Sequence, residues 1–308
     1  MERYYLLATL LLFLWCSPSF AFASMGNRND VAVIGCGVLG TSLCKQLLES
    51  PDFASRTITG ITKTSNRHES ILKQVGDNER FALKTADEIQ EQTFRDVVFC
   101  APPSGFDDYP AAVRDAVTNI WDKSSDGVFV FTSSGGIYGS GTDGEVVNED
   151  SPTADPETNP RAGKLIRAEE ACLANGGCCL RLAGLYSLER GAHNYWLTSG
   201  NDVNGRGDGI INLLHYDDAA GACVAALKAG PEKTRGKVFL VSDGNPTTRK
   251  GICESAKKAK LYATAKMPSF VGRESDAKGK VYDGSATNAA LNWKSKYVSF
   301  DEYMASQS

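Results

Sequence analysis

The stretch DVAVIGCGVLGTSLCKQLLES, residues 30–50, constrains this 308-residue chain more than any other. Val31 to Ile34 is a short β-branched run of the kind that forms a buried strand. Gly35, Gly37 and Gly40 then spell G-x-G-x-x-G, and an amphipathic helix pattern follows. The spacing has a physical reading. The first glycine permits a tight turn, the second lets a pyrophosphate approach the backbone, and the third lets helix and strand pack closely. The phosphates would meet the free N–H groups and the positive end of the helix. Gly35, Gly37, Val38, Leu39 and Gly40 are therefore candidate dinucleotide contacts. The competing reading is a glycine turn retained for packing alone.

Further apolar runs repeat the pattern: RTITGITK, RDVVFCAPP, DGVFVFTSS, GCCLRLAGLY and GKVFLVSDG, with helical stretches between most of them. Such alternation predicts an α/β fold, a Rossmann-like doubly wound parallel sheet covered on both faces. No proline-rich linker divides the chain. One domain over 25–308 is expected, with a cofactor core over about 29–185 and a small C-terminal substrate lobe over about 186–308. Ala101 and Pro102, where the strand of RDVVFCAPP stops, are further candidate cofactor contacts.

The end of the second strand bears on which dinucleotide binds. An NAD site usually places an acid there for the ribose 2′-hydroxyl. Here GITKTSNRH contains none and offers Thr62, Lys63 and Arg67. Hydroxyls and cations suit a 2′-phosphate, so NADP is expected, with NAD the alternative; a solvated basic turn is the plain reading of the same residues.

Net charge is −4, with no long basic run, which argues against nucleic acid as a partner. Residues 1–24 read as a targeting presequence: an arginine near the start, an apolar run from Tyr5 to Cys16, then small residues. The run is short for a membrane span, so no stable span is expected after cleavage. SPSFAFAS resembles the bipartite leader of algae with complex plastids. A plastid stroma is expected, with secretion, or a cytoplasmic form started at Met25, as alternatives. The eight cysteines beyond Cys16 favour a reducing compartment. Cys36, Cys44, Cys100, Cys178 and Cys179 all fall where buried small hydrophobes are expected, with Cys178 and Cys179 on opposite faces of one strand.

VAVIGCGVLG, FTSSGGIYG, CLRLAGLY, INLLHYDDAA and LNWKSKYVSF fall in the order seen in extended and atypical short-chain dehydrogenase/reductases, the NAD-dependent epimerase/dehydratase-like group. The resemblance covers about residues 30–304 and implies a nicotinamide cofactor and a substrate cleft roofed by C-terminal segments. It also implies a Ser or Thr, a Tyr, and a Lys four residues after the Tyr. Ser134 matches the family's serine in SSGGIYG.

The tyrosine does not match. In ETNPRAGKLIRAEEA, Asn159 is a good helix cap and Pro160 suits the first helical position. If Lys164 is the family lysine, Pro160 stands at the tyrosine position. If AEE sets the register, the pair becomes Arg161 and Leu165. Neither register contains the usual acid/base. Arg161 is a candidate anion clamp. Tyr138 and Tyr186 follow strand ends and are candidate substitutes, each also readable as a packing ring. His193 and His215 are isolated, and no metal-site spacing is present. Two functions follow: an NADP-preferring, epimerase/dehydratase-like oxidoreductase acting on a small polar metabolite, or a non-catalytic NADP(H)-binding sensor or scaffold. The oligomeric state is left open.

Overall fold

The computed structural model describes residues 30–141 and 143–308; the expected presequence lies outside them. In chain order the strands and helices are β1 (Val31–Ile34), α1 (Val38–Glu49), β2 (Ile58–Thr62), α2 (His68–Val75), β3 (Phe81–Thr85), β4 (Asp96–Phe99), α3 (Tyr109–Asn119), β5 (Phe129–Ser134), β6 (Asp143–Val147), α4 (Pro160–Ala174), β7 (Cys178–Leu182) and β8 (Gly184–Tyr186). Then come α5 (Ala192–Thr198), β9 (Ile210–Ile211), β10 (Leu213–His215), α6 (Tyr216–Ala229), α7 (Pro231–Thr234), β11 (Val238–Val241), β12 (Thr247–Thr248), α8 (Arg249–Ala256), β13 (Gly279–Tyr282), α9 (Ser285–Leu291) and α10 (Phe300–Ala305).

Seven strands form one parallel sheet in the order β11-β7-β5-β4-β1-β2-β3. The chain winds outward from β1 to β3, then returns across β1 to β4 and winds the other way. The switch point between β1 and β4 is where such sheets bind ligands, at the carboxyl ends of the strands. Residues alternate between two cores as the strand period requires. Val31, Val98, Val130 and Cys178 pack with α1 and α6 on one face, while Ala32, Val97, Phe131 and Cys179 pack with α3 and α4 on the other. Cys178 and Cys179 thus do point to opposite faces. Leu43 and Leu47 of α1 are fully buried in the first core. Each contributes roughly 1.5–3 kcal/mol by leaving water.

Three local readings change. GCCLRLAGLY is two strands: β7 lies in the main sheet, and β8 leaves it to pair with β10. FALKT forms the edge strand β3. DGEVV and GKVY form a separate parallel pair, β6 with β13. A third core, including Tyr186, Leu197, Ile252, Tyr262, Phe300 and Met304, is built wholly from residues at or beyond 186. Yet α6 and β11 from the same half return to the main sheet and its helix layer.

Candidate cofactor and active site

The glycine loop sits at the switch point, and its three glycines meet different constraints. Gly35 has φ of +94°, and a Cβ there would stand 2.3 Å from the Ala101 amide nitrogen at the end of β4. A Cβ on Gly40 would lie 2.5 Å from the Gly35 carbonyl oxygen. A Cβ on Gly37 would meet nothing nearer than 3.9 Å, so folding alone does not demand glycine there. The loop is held by Gly35 and Cys36, whose amides both donate to the Ile61 carbonyl at 2.9 and 3.1 Å. Gly37 caps α1 without a side chain, no acid occupies the first turn, and the first helical bond runs from the Thr41 amide to the Gly37 carbonyl. That leaves a positive, uncapped helix end facing the switch point.

The candidate contacts around it are arranged as follows. Val38 is half-buried, whereas Leu39 is 7% exposed and packs in the core. Ala101 lies against Gly35, and its carbonyl accepts from the buried Tyr109 hydroxyl at 2.9 Å. Pro102 precedes a short 3-10 turn, Pro103–Gly105. At the rim of β2, Lys63 is exposed and its ammonium donates to the Gly105 carbonyl at 3.1 Å, which ties the β2 end to the loop after β4. Arg67 is exposed at the end of the 3-10 turn Ser65–Arg67. Thr62 pairs with His68, Oγ1 to Nε2 at 2.7 Å, a contact the sequence did not signal. The acid nearest in sequence beyond β2 is the exposed Glu69, inside α2.

Ser134 ends β5 and starts a 3-10 turn, Gly135–Tyr138, its hydroxyl accepting from the Gly136 amide at 3.1 Å. This turn packs against α4. The helix starts and stops where its sequence predicts: Asn159 accepts from the Ala162 amide, Pro160 is the first residue, and Asn175 and Gly176 end it. Pro160 and Arg161 are exposed. Lys164 is half-buried, its ammonium without a partner among the described residues, and Leu165 packs into two cores. No tyrosine stands in the first turn of α4.

The two candidate substitutes, Tyr138 and Tyr186, are both buried phenols. Tyr138 is 2% exposed; its hydroxyl donates to the Asn148 carbonyl at 2.7 Å and accepts from Arg181 at 3.0 Å. Burial raises its pKa, and the Arg181 guanidinium opposes that. Arg181 is itself fixed by a buried pair with Glu169 at 2.8 Å. Tyr186 is fully buried, in edge-on contact with His215, Phe300 and Tyr303. The phenol beside Ser134 is instead Tyr282, on β13. Its hydroxyl donates to the Gly135 carbonyl at 2.7 Å, and its ring occupies the space a Gly135 side chain would need. Burial pushes its pKa up to about 12. Nothing in the local sequence around Tyr282 signals this position, because β6 and β13 pair across more than a hundred residues.

The histidines are structural. His193 is buried and bonds the Leu188 carbonyl at 2.9 Å. His215 caps α6, its Nδ1 accepting from the Asp217 amide at 3.1 Å, and burial lowers its pKa to about 4. Asp218 of the same motif accepts from the Lys296 and Tyr297 amides, which fastens the C-terminal LNWKSKYVSF segment to α6. A cavity of about 350 Å³ lined in part by Arg56, Arg95, Asp96 and Lys228 lies beyond the amino ends of the strands, opposite the glycine loop. Among the described residues no cluster has a metal-binding donor set.

No protein-family model and no curated protein matches the chain. Solved structures do. UDP-glucuronic acid 4-epimerase from Bacillus cereus, in complex with UDP-glucuronic acid and NAD, is similar at 16% identity with a TM-score of 0.70, over 89% of this chain and 96% of that one. dTDP-glucose 4,6-dehydratase from Bacillus anthracis, in complex with NAD, is similar at 17% identity with a TM-score of 0.69, over 90% and 94%. The UDP-Glc/GlcNAc 4-epimerase from Campylobacter jejuni is similar at 19% identity with a TM-score of 0.67, over 90% and 98%. At these identities the likeness is one of fold: a Rossmann-like α/β architecture spanning nearly the whole of each neighbour.

Proposed function

We propose that the chain is a nicotinamide-dinucleotide-binding protein of the extended short-chain dehydrogenase/reductase type, with NADP preferred over NAD. The observation that carries this reading is the uncapped, acid-free start of α1 behind Gly35, Gly37 and Gly40, at the switch point of the sheet. Anions are stabilised at such an end by oriented N–H groups and the helix dipole. Lys63 and Arg67 at the β2 rim support a 2′-phosphate. The nicotinamide ribose would then lie toward Ser134 and the Lys164 ammonium.

When bound, the cofactor supplies hydride transfer. The chain's own residues position the reacting oxygen. Ser134 is the candidate hydrogen-bond partner for that oxygen, and Arg161 the candidate clamp for an anionic group on the substrate. Three of the fold neighbours act on nucleotide sugars by name, so sugar nucleotides and other small polar hydroxylated metabolites are the substrate panel to test. Pro160 and Arg161 at the helix start also favour a second reading, a sensor or scaffold that binds NADP(H) with little turnover. General acid–base catalysis contributes about 10²- to 10⁴-fold, and proline has no titratable group.

Titration of the purified chain with NADPH and NADH, followed by a turnover screen with that panel, tests both. Tighter NADPH binding with turnover supports the enzyme. Tighter NADPH binding with none supports the sensor. No binding of either dinucleotide contradicts both.

A further inference from the structure

The dinucleotide loop contains a thiol pair that the proposed function does not use. Cys36 occupies the first variable position of G-x-G-x-x-G, and Cys44 lies two turns along α1. Their sulfurs are 3.9 Å apart, and both side chains are buried, at 3% and 0% exposure. Cys36 also touches the Thr41 hydroxyl at 3.9 Å. Contact with Cys44 lowers the Cys36 pKa and raises that of Cys44, burial opposing ionisation of both. The pair is asymmetric in place as well: Cys36 lies on the turn at the sheet's ligand-binding edge and is the sulfur an oxidant would meet first, while Cys44 lies in the core behind it.

We propose that Cys36 and Cys44 form a reversible disulfide that weakens dinucleotide binding. With hydrogen peroxide as oxidant, the Cys36 thiolate attacks one peroxide oxygen; the O–O bond breaks, Cys36 becomes a sulfenic acid, and the departing hydroxide takes up the proton released by the Cys36 thiol to leave as water. The Cys44 sulfur then attacks the Cys36 sulfur, the S–O bond breaks, and a second water leaves. Two thiols and one peroxide give one disulfide and two waters.

The consequence for binding follows from where the slack is. A disulfide sulfur–sulfur bond is about 2.05 Å, so the pair must close by about 1.9 Å. Cys44 is fixed in the middle of α1, in the core. Cys36 lies between two glycines, held by one amide bond to Ile61. The loop is the part that yields, and its displacement moves Gly37 and the α1 start, whose amides before Thr41 have no intrahelical partner and would meet the phosphates. Linkage makes the effect reciprocal: bound NADPH should slow oxidation. The effect on affinity rests on the dinucleotide reading; formation of the disulfide does not.

The test uses the full mature chain exposed to hydrogen peroxide with and without NADPH. Alkylation, non-reducing peptide mapping and NADPH titration follow, beside the Cys44→Ala variant. The expected result is a Cys36–Cys44 linked peptide, reversed by dithiothreitol, NADPH affinity at least about tenfold weaker, and slower linkage when NADPH is present. Cys44→Ala should bind NADPH normally and keep that affinity after mild peroxide. Mapping that finds Cys36 over-oxidised, or joined to Cys100, overturns the proposal. So does full Cys36–Cys44 linkage with unchanged affinity. If the reduced chain binds no dinucleotide, the functional reading fails on its own, while mapping still decides whether the disulfide forms.

Discussion

Lys63 and Arg67 are the residues on which cofactor choice should turn. A hydrogen bond to a charged group contributes roughly 1.5–3 kcal/mol, and exposure at this rim reduces it, so one good contact corresponds to about tenfold. Replacing both with alanine should erase the NADPH preference in a titration and leave NADH affinity nearly unchanged. An unaltered ratio would show that the β2 rim is solvated surface. Tyr138 and Tyr282 should separate in the opposite way from a reading of local sequence. Tyr138→Phe strands the Asn148 carbonyl and removes an acceptor from Arg181, so it should cost about 1–3 kcal/mol in chemical denaturation without a specific effect on turnover. Tyr282→Phe releases the Gly135 carbonyl next to Ser134, so by loosening that turn it should lower turnover of any substrate found while leaving NADPH affinity near wild type. Equal loss of stability and unchanged turnover in Tyr282→Phe would reduce Tyr282 to a wedge over Gly135. The place of Ser134 at the end of β5 was legible because its motif is local. Tyr282 was hidden because its neighbour in space is 147 residues away in sequence.

Elements were legible where one periodicity ruled. The strands of the sheet interior are continuous apolar runs, and α4 carries its cap, its first-position proline and its terminal glycine in the sequence itself. FALKT was missed because an edge strand needs no apolar run, and its residues are only half-buried or exposed. The junction after β7 was missed because Ala183, at 5% exposure, continues the apolar run while the backbone changes sheets. The ends of β10 and β11 carry opposed titrations. Burial lowers His215 to about 4 from 6.5, so the unfolded chain takes up a proton that the fold refuses, and stability falls as pH drops through that window. Burial raises Asp243 to about 7 from 3.8, so the fold keeps a proton that the unfolded chain releases, and stability falls as pH rises between those values. Asp243→Asn removes only the second effect. Its stability relative to wild type should grow between about pH 4 and pH 7 in urea titrations; a difference independent of pH would contradict the assignment.

At the scale of the whole molecule, the doubly wound sheet followed from strand–helix alternation, and the fold neighbours span it almost end to end. The sequence implies a substrate-side lobe beyond about residue 186; a third core lies wholly at or beyond that point, while α6 and β11 of the same half pack with the main sheet. There β11 covers the edge that β7 would otherwise leave unpaired. The presequence remains a proposal from sequence. N-terminal sequencing of the native protein should find a start between Phe20 and Met25, and an intact Met1 would contradict it. The central claim is that the α1 end holds a dinucleotide and is not glycine-rich for packing alone. Gly37 separates the two, since a methyl group there meets only an ordinary, unstrained contact, 3.9 Å from the Gly35 carbonyl oxygen, but would stand where a pyrophosphate must approach. NADPH titration of Gly37→Ala beside wild type, with thermal unfolding of both, is the measurement. The account predicts tight binding by wild type, at least about tenfold weaker binding by the variant, and nearly equal melting temperatures. Equal binding by both, or no binding by wild type, would contradict it.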